Sequence, residues 1–176
     1  QKYVTGALAE GEIAAFSALE FLKQHTAAPI AESSVTEHAE EVQRFLTQSG
    51  SRFTTEQLEE AMQTVMDAYA GGIKTNYRFN EKQLAIADEK IVQLMQLSDT
   101  LHAADFQELM YIYELRERLV VCRSVIAHLG ARKETRWHSF AENLDYREKS
   151  DEWLKYVNSR YKDGKIEILY SILWMK

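Results

Sequence analysis

The chain has 176 residues, of which 45% are hydrophobic, and it contains only one proline and seven glycines. This composition excludes a disordered chain and a loop-rich β protein, and it predicts long helices. The net charge of −6 argues against non-specific binding to nucleic acid, and the single cysteine, Cys122, excludes an intramolecular disulfide or a metal centre held by cysteines alone.

The first two predicted helices lie before residue 50. Positions 13, 16, 19 and 22 place apolar residues on one face of a helix over 12–22, which ends before Pro29. Upstream of it, the segment from Gly6 to Gly11 suggests a tight turn into the helix. The second helix is predicted over 34–49, with Ser34 or Thr36 as its cap and Gly50 just after its end.

Three further helices carry apolar residues at the helical period. The third begins after Thr54, which has the capping-box spacing to Gln57, and it closes at Gly71-Gly72. The fourth is predicted from Asn80 to about Leu97, and the fifth is capped by Asp105 and extends to about Leu129. Their predicted core positions are 58, 61, 62, 65, 66 and 69, then 84, 87, 91, 94 and 95, then 109, 112, 115, 119, 122, 125, 126 and 129.

After Gly130 the helical period is lost. Residues 131–163 are rich in arginine, aromatic and acidic residues, and Lys162-Asp163-Gly164 predicts a turn before an alternating segment at 165–174. The sequence therefore predicts a mainly α fold: an antiparallel helical bundle of about three to four helices, with an irregular C-terminal tail and a short β-strand.

The densest polar cluster is Arg132-Lys133-Glu134-Thr135-Arg136-Trp137-His138. Its cations could bind a carboxylate or phosphate, but they also suit the negative end of the preceding helix or an interface. The five histidines lack the spacing of metal ligands, so no metal site is predicted, and Cys122 fits a small buried hydrophobe. The segment from Gly6 to Gly11 lacks the Lys-Ser/Thr of a phosphate loop; it is either a plain turn or a helix N-terminus offered to an anionic ligand atom.

Several segments carry a family resemblance. Residues 132–136, followed by His138, Asp145-Tyr146 and Asp151-Glu152-Trp153, resemble the Arg-Lys-Glu-Ser/Thr-Arg region near the end of fumarate reductase and succinate dehydrogenase flavoprotein subunits. The helix over 58–66, with Tyr69-Ala70-Gly71-Gly72 after it, resembles the same family. Segments 9–15 and 153–161 are most similar to the adenylylsulfate reductase α-subunit branch. The sequence departs from the family at Arg147, where proline is frequent, and at Trp137, where many members have glycine.

The resemblance implies the C-terminal helical part of an FAD-dependent oxidoreductase. Residues 1–28 would be the last helix of the FAD-binding domain, 33–130 a helical bundle domain, and 131–176 a tail that packs on the FAD domain. Gly6, Ala7, Leu8 and Glu10 would lie near FAD. Arg132, Arg136 and His138 would fix the tail against the FAD domain or the substrate-entry side, and no residue of this chain would be catalytic.

The expected partners are the upstream FAD-binding domain and an iron–sulfur protein subunit, with no nucleic acid. Since no apolar run approaches the roughly 20 residues of a membrane span, we expect a cytoplasmic protein that reaches membranes only through partner subunits. The chain begins with Gln1 and shows no signal peptide, which indicates a removed propeptide or an excised fragment, and the fragment alone is expected to be inactive. The alternatives are a helical protein-interaction module without a redox role and a metal- or thiol-based enzyme.

Overall fold

The computed structural model describes the backbone of residues 2–172 and the side chains of residues 4–171. Within this range the chain forms five α-helices and four short strands, which confirms the mainly α prediction. The helices are α1 (Lys2–Gln24), α2 (Glu32–Thr47), α3 (Thr55–Tyr69), α4 (Glu81–Ser98) and α5 (Phe106–Ala131). The strands are β1 (Arg78–Phe79), β2 (Glu142–Asn143), β3 (Lys155–Lys162) and β4 (Lys165–Ile172).

The chain divides into two compact units, and the boundary between Glu40 and Glu41 falls inside α2. The first unit contains α1, which includes Gly6 and Gly11, so the predicted turn into a helix at these residues is wrong. A glycine inside a helix costs only about 1 kcal/mol, and the residues between the two glycines favour helix. The large apolar side chains of α1 are more than half exposed along the helix; they include Leu8, Ile13, Phe16, Leu19 and Leu22.

The predicted caps of α2 are also wrong. The helix begins at Glu32, so Ser34 and Thr36 lie inside it. Thr36 Oγ1 donates a hydrogen bond to the Glu32 carbonyl oxygen at 3.1 Å. This bond to the preceding turn is the alternative to capping that threonine takes inside a helix.

In the second unit, α3, α4 and α5 pack against one another. Thr54 and Asp105 cap α3 and α5 as predicted, and Asn80, predicted as the first residue of the fourth helix, is the cap of α4. Each accepts a hydrogen bond from the backbone N–H three residues on. Val125 is an exception to the predicted stripes because it is exposed. The buried core consists mainly of the predicted positions and includes Phe45, Leu58, Met62, Val65, Leu84, Ala87, Ile91, Leu94, Leu109, Ile112, Leu115, Leu119 and Ile126.

The tail is more regular than predicted. β1 pairs with β2 in parallel, and β3 pairs with β4 as an antiparallel hairpin in which Lys162 lies opposite Lys165. Asp163 and Gly164 both have positive φ angles, 50° and 74°, as a two-residue type I′ turn requires. The predicted strand at 165–174 is confirmed as far as Ile172, and positions 173 and 174 lie outside the described residues. β3 corrects the prediction of an irregular tail.

The hairpin lies against α5. Arg123 Nη1 donates to the Gly164 carbonyl oxygen at 2.8 Å, while its Nε donates to Asp88 of α4, also at 2.8 Å. Ser124 Oγ and Ser159 Oγ are 2.9 Å apart. These bonds fix the hairpin to the helical core and so position the start of β3 beside the end of α5.

Candidate functional site

The arginine cluster after α5 is organised around one buried carboxylate. The Glu134 side chain is 0% exposed, and its Oε1 accepts hydrogen bonds from both Arg132 and Arg136. Its Oε2 accepts the Ser150 backbone N–H at 3.0 Å. A buried carboxylate is tolerated only when charged partners and hydrogen bonds replace the water it has lost, and here two guanidinium groups and one amide do so.

These partners decide the charge of Glu134. Burial acts to raise the pKa of the Glu134 carboxyl, but the hydrogen bonds from Arg136, the Ser150 amide and Arg132 outweigh it and hold the pKa below its ordinary value of 4.5. Glu134 is therefore ionised at neutral pH. A carboxylate held in this way is a fixed counter-ion and is unsuited to proton transfer near pH 7.

The two arginines also bind the backbone of the tail. Arg132 donates to the Trp153 carbonyl oxygen at 3.1 Å and to the Lys155 carbonyl oxygen at 2.9 Å. Arg136 donates to the Ser150 carbonyl oxygen at 3.2 Å. Arg132 and Arg136 thus join the end of α5 to the chain that leads into β3. Their role toward a flavin domain or substrate stays a prediction.

A polar network that sequence reasoning missed supports this arrangement, and its buried members are Thr135 and Asn143. Thr135 Oγ1 donates to the Tyr146 carbonyl oxygen at 2.8 Å and accepts the Asn143 N–H at 3.0 Å. Asp145 Oδ2 accepts the Glu81 N–H at 2.7 Å, at the start of α4. Thr135 and Asp145 stand at motif positions, but their spacing alone gives no signal that they meet in one network.

His138 lies apart from the buried carboxylate. Its side chain is 59% exposed, and Nδ1 is 3.9 Å from Glu142 Oε1 in β2. The neighbouring Trp137 is 71% exposed and Phe140 is exposed as well. The segment after Arg136 therefore presents aromatic rings and an imidazole to the surroundings.

A cavity of about 810 Å³ opens beside the arginine cluster, and we call it the aromatic cavity. Most of its walls are aromatic or aliphatic, and Lys155 supplies a cation whose Nζ lies 4.1 Å from the Trp153 ring centroid and 5.2 Å from that of Tyr170. Its volume falls within the range typical of ligand pockets. The lining residues are Phe79, Ser124, Val125, His128, Leu129, Arg132, Glu134, Arg136, Trp137, Ala141, Trp153, Leu154, Lys155, Tyr156 and Val157.

The residues predicted to lie near FAD are in the other unit. Gly6, Ala7, Leu8 and Glu10 lie within α1, and the last three are exposed. A Cβ atom added at Gly6 would meet nothing within 4 Å, so the helix is open there. Their contact with FAD stays a prediction, and these residues form at most one wall of a pocket.

The described part of the chain gives no support for metal binding or for thiol chemistry. Between residues 4 and 171, no group of three or more His, Cys, Asp or Glu side chains could hold a metal ion. Burial raises the pKa of the half-buried Cys122 thiol, which disfavours the reactive thiolate. None of the described helices is long and apolar enough to cross a membrane.

No family model and no curated protein matches the chain, but solved structures do. Adenylylsulfate reductase from Archaeoglobus fulgidus is 29% identical, with a TM-score of 0.81 over 94% of this chain and 28% of that one. An adenosine-5-phosphosulfate reductase in complex with sulfite is 30% identical, with a TM-score of 0.82 and the same two coverages. The predicted resemblance is confirmed. An E. coli quinol fumarate reductase, 20% identical with a TM-score of 0.67 over 86% of this chain and 27% of that one, shares the fold. The chain spans little more than a quarter of the length of these relatives.

Proposed function

We propose that this chain is the C-terminal helical part of an FAD-dependent oxidoreductase flavoprotein subunit of the adenylylsulfate reductase or fumarate reductase type. The observation that carries the proposal is the fold similarity over 94% of the chain at 29–30% identity to two adenylylsulfate reductase structures. In this role the chain braces the flavin domain and offers surface to an iron–sulfur subunit. When bound, FAD would supply the redox chemistry of the longer, cytoplasmic protein.

The exposed apolar side chains of α1 support the assignment of residues 1–28 to the flavin domain. Leu8, Phe16 and Leu22 are each more than half exposed. Covering a side chain of this kind contributes about 1.5–3 kcal/mol, so α1 gains stability from a domain that packs on it. Gly6, Ala7, Leu8 and Glu10 would then contact FAD, and residues 33–130 would form the bracing helical domain.

The same observations explain why this chain alone should not hold FAD. A cofactor pocket encloses most of its ligand, whereas Ala7, Leu8 and Glu10 are exposed on one open helix. We therefore expect the 176-residue chain to bind FAD weakly or not at all and to catalyse no reaction. Stoichiometric FAD on this chain would contradict that expectation.

The decisive experiment is the visible absorption spectrum of the protein purified with its native upstream sequence restored. We expect flavin absorption that stays with the protein through gel filtration. A folded, monodisperse protein that remains colourless after incubation with FAD would refute the proposal and favour the helical interaction module.

A pair of glycine variants in that longer protein would test the contact at α1. Gly6→Val and Gly11→Val introduce the same side chain into the same helix, and neither Cβ atom meets a neighbour within 4 Å in this chain. Their intrinsic helix penalties are therefore matched. We expect Gly6→Val to lower the bound FAD per protein and Gly11→Val to leave it unchanged. Equal FAD content in the two variants would remove Gly6 from the proposed site.

A further inference from the structure

Lys155 is a cation without a carboxylate partner in the described part of the chain. Its ammonium group lies over the rings of Trp153 and Tyr170, at the wall of the aromatic cavity. Lys133, by contrast, pairs with Glu81, and Arg160 pairs with Glu167. Cation–π contacts stabilise an ammonium group but leave its charge uncompensated.

Among the residues that the structure describes, the lining of the aromatic cavity has an excess of positive charge. Arg132, Arg136 and Lys155 belong to this lining, and the one carboxylate in it, Glu134, is already bonded by both arginines and the Ser150 amide. This local excess of positive charge contrasts with the net charge of the chain, which is −6. An occupant with a negative charge is therefore attracted and one with a positive charge is repelled.

The walls of the cavity set a second requirement. Trp137 lines the cavity and is 71% exposed, and Val125, also a lining residue, is exposed as well. A small inorganic anion would leave this apolar surface wet, whereas an apolar side chain would bury it. The occupant that satisfies both requirements carries a carboxylate next to an aliphatic or aromatic side chain.

We propose that the aromatic cavity is a docking socket for the upstream flavin domain, which inserts an apolar side chain and pairs an adjacent carboxylate with Lys155. This inference rests on the proposed function, because the flavin domain is the body that the proposal adds to this chain. The matched 28% of the relatives leaves most of their length to supply such a segment. The cavity then fixes the tail to the flavin domain through one buried side chain and one ion pair.

The test uses the protein with its native upstream sequence restored and a zero-length carbodiimide, which joins a lysine amine to a carboxylate in direct contact. Peptide mass spectrometry should find Lys155 joined to an aspartate or glutamate of the upstream region. Acetylation of Lys155 should be roughly tenfold slower than in the 176-residue chain, as about 1.4 kcal/mol of protection would give. Lys162 is the matched control, because it is exposed beside the hairpin turn and outside the cavity lining, and its acetylation should not change.

Flavin absorption of the same sample separates the two proposals. Bound FAD with Lys155 acetylated as fast as in the 176-residue chain would overturn the docking inference and leave the proposed function standing. A colourless protein with Lys155 joined to an upstream carboxylate would overturn the proposed function and with it the flavin domain as occupant, and the contact would then belong to an upstream segment without flavin. A cross-link from Lys155 to a second copy or to another subunit would overturn the docking inference.

Discussion

Replacing Glu134 by glutamine is the most informative single change in the tail. The substitution keeps the size of the side chain and an acceptor oxygen, but it removes the negative charge that holds Arg132 and Arg136. Two guanidinium groups would then lie beside a neutral amide. We expect the tail to lose its attachment to the end of α5 before the helical core unfolds.

The magnitude follows from burial. Removing one partner of a buried ion pair costs about 3–5 kcal/mol. Because the side chains of Arg132 and Arg136 remain 32% and 24% exposed, water can partly solvate them, so we expect about 2–3 kcal/mol for Glu134→Gln. For a chain of this length that corresponds to a melting temperature lower by roughly 5–10 °C. Glu152→Gln is the matched control: Glu152 is exposed in the same tail, and its substitution should change stability by less than about 0.5 kcal/mol.

The pH dependence gives an independent check. Because the pKa of Glu134 is lower in the folded protein than its ordinary value of 4.5, its stabilisation is complete above that value and is lost as the pH falls through the folded pKa. The melting-temperature difference between the original protein and Glu134→Gln should therefore be constant from neutral pH to about pH 5 and narrow below it. Thermal unfolding followed by near-ultraviolet circular dichroism measures this difference. Equal melting temperatures at pH 7, or a difference that persists at low pH, would refute the reasoning.

Two further substitutions and one thiol-reactivity measurement test other parts of the structure. Thr54→Ala removes the capping bond to the Gln57 N–H, so the free energy of unfolding measured in urea should fall by about 1 kcal/mol; a loss near zero would contradict the cap. Gly72→Ala would place a Cβ atom 2.3 Å from Asp67 Cα, so thermal denaturation should show a free energy of unfolding that is lower by more than roughly 2 kcal/mol. An unchanged melting temperature would disprove that close approach. Because burial raises the pKa of the Cys122 thiol, Cys122 in the folded protein should react with Ellman's reagent more slowly than the thiol of free glutathione does. Unfolding in urea should remove this difference. Equal rates for the folded protein and glutathione would count against this burial.

Helix caps could be predicted because their signal is local. The predicted caps Thr54 and Asp105 each precede an apolar stripe, and each bonds an amide only three residues away. The same reasoning failed at Ser34 and Thr36, because a helix can begin before a favourable capping residue and enclose it. Both residues fit a cap by type, but α2 begins at Glu32.

The hairpin shows how a strand can be missed when its signal comes from the turn. β3 has one aliphatic residue, Val157, and its alternating burial is shallow because only one side faces α5. The sequence predicts a turn at Lys162-Asp163-Gly164 before β4, and an Asp-Gly pair in such a turn also predicts a strand on its other side. Extending the pattern back from that turn would have predicted β3.

The buried carboxylate could not be found from sequence for a different reason. Glutamate is seldom fully buried, and a Glu between two cationic residues usually forms a solvated pair. Burial of Glu134 depends on the Ser150 amide, sixteen residues further along the chain. Such a long-range contact is fixed by the return of the tail over α5, which no local pattern records.

The Arg132 side chain connects the arginine cluster around Glu134 to the aromatic cavity. Arg132 bonds Glu134 on one side and the Lys155 carbonyl oxygen on the other, so the buried ion pair holds the backbone from which the Lys155 ammonium group extends over Trp153. The stability of the tail and the position of the Lys155 ammonium group should therefore change together. If Glu134→Gln loosens the tail as expected, acetylation of Lys155 should become faster in the longer protein while that of Lys162 stays constant. If the melting temperature falls while the acetylation rate of Lys155 stays the same, the ion pair stabilises the tail without positioning Lys155.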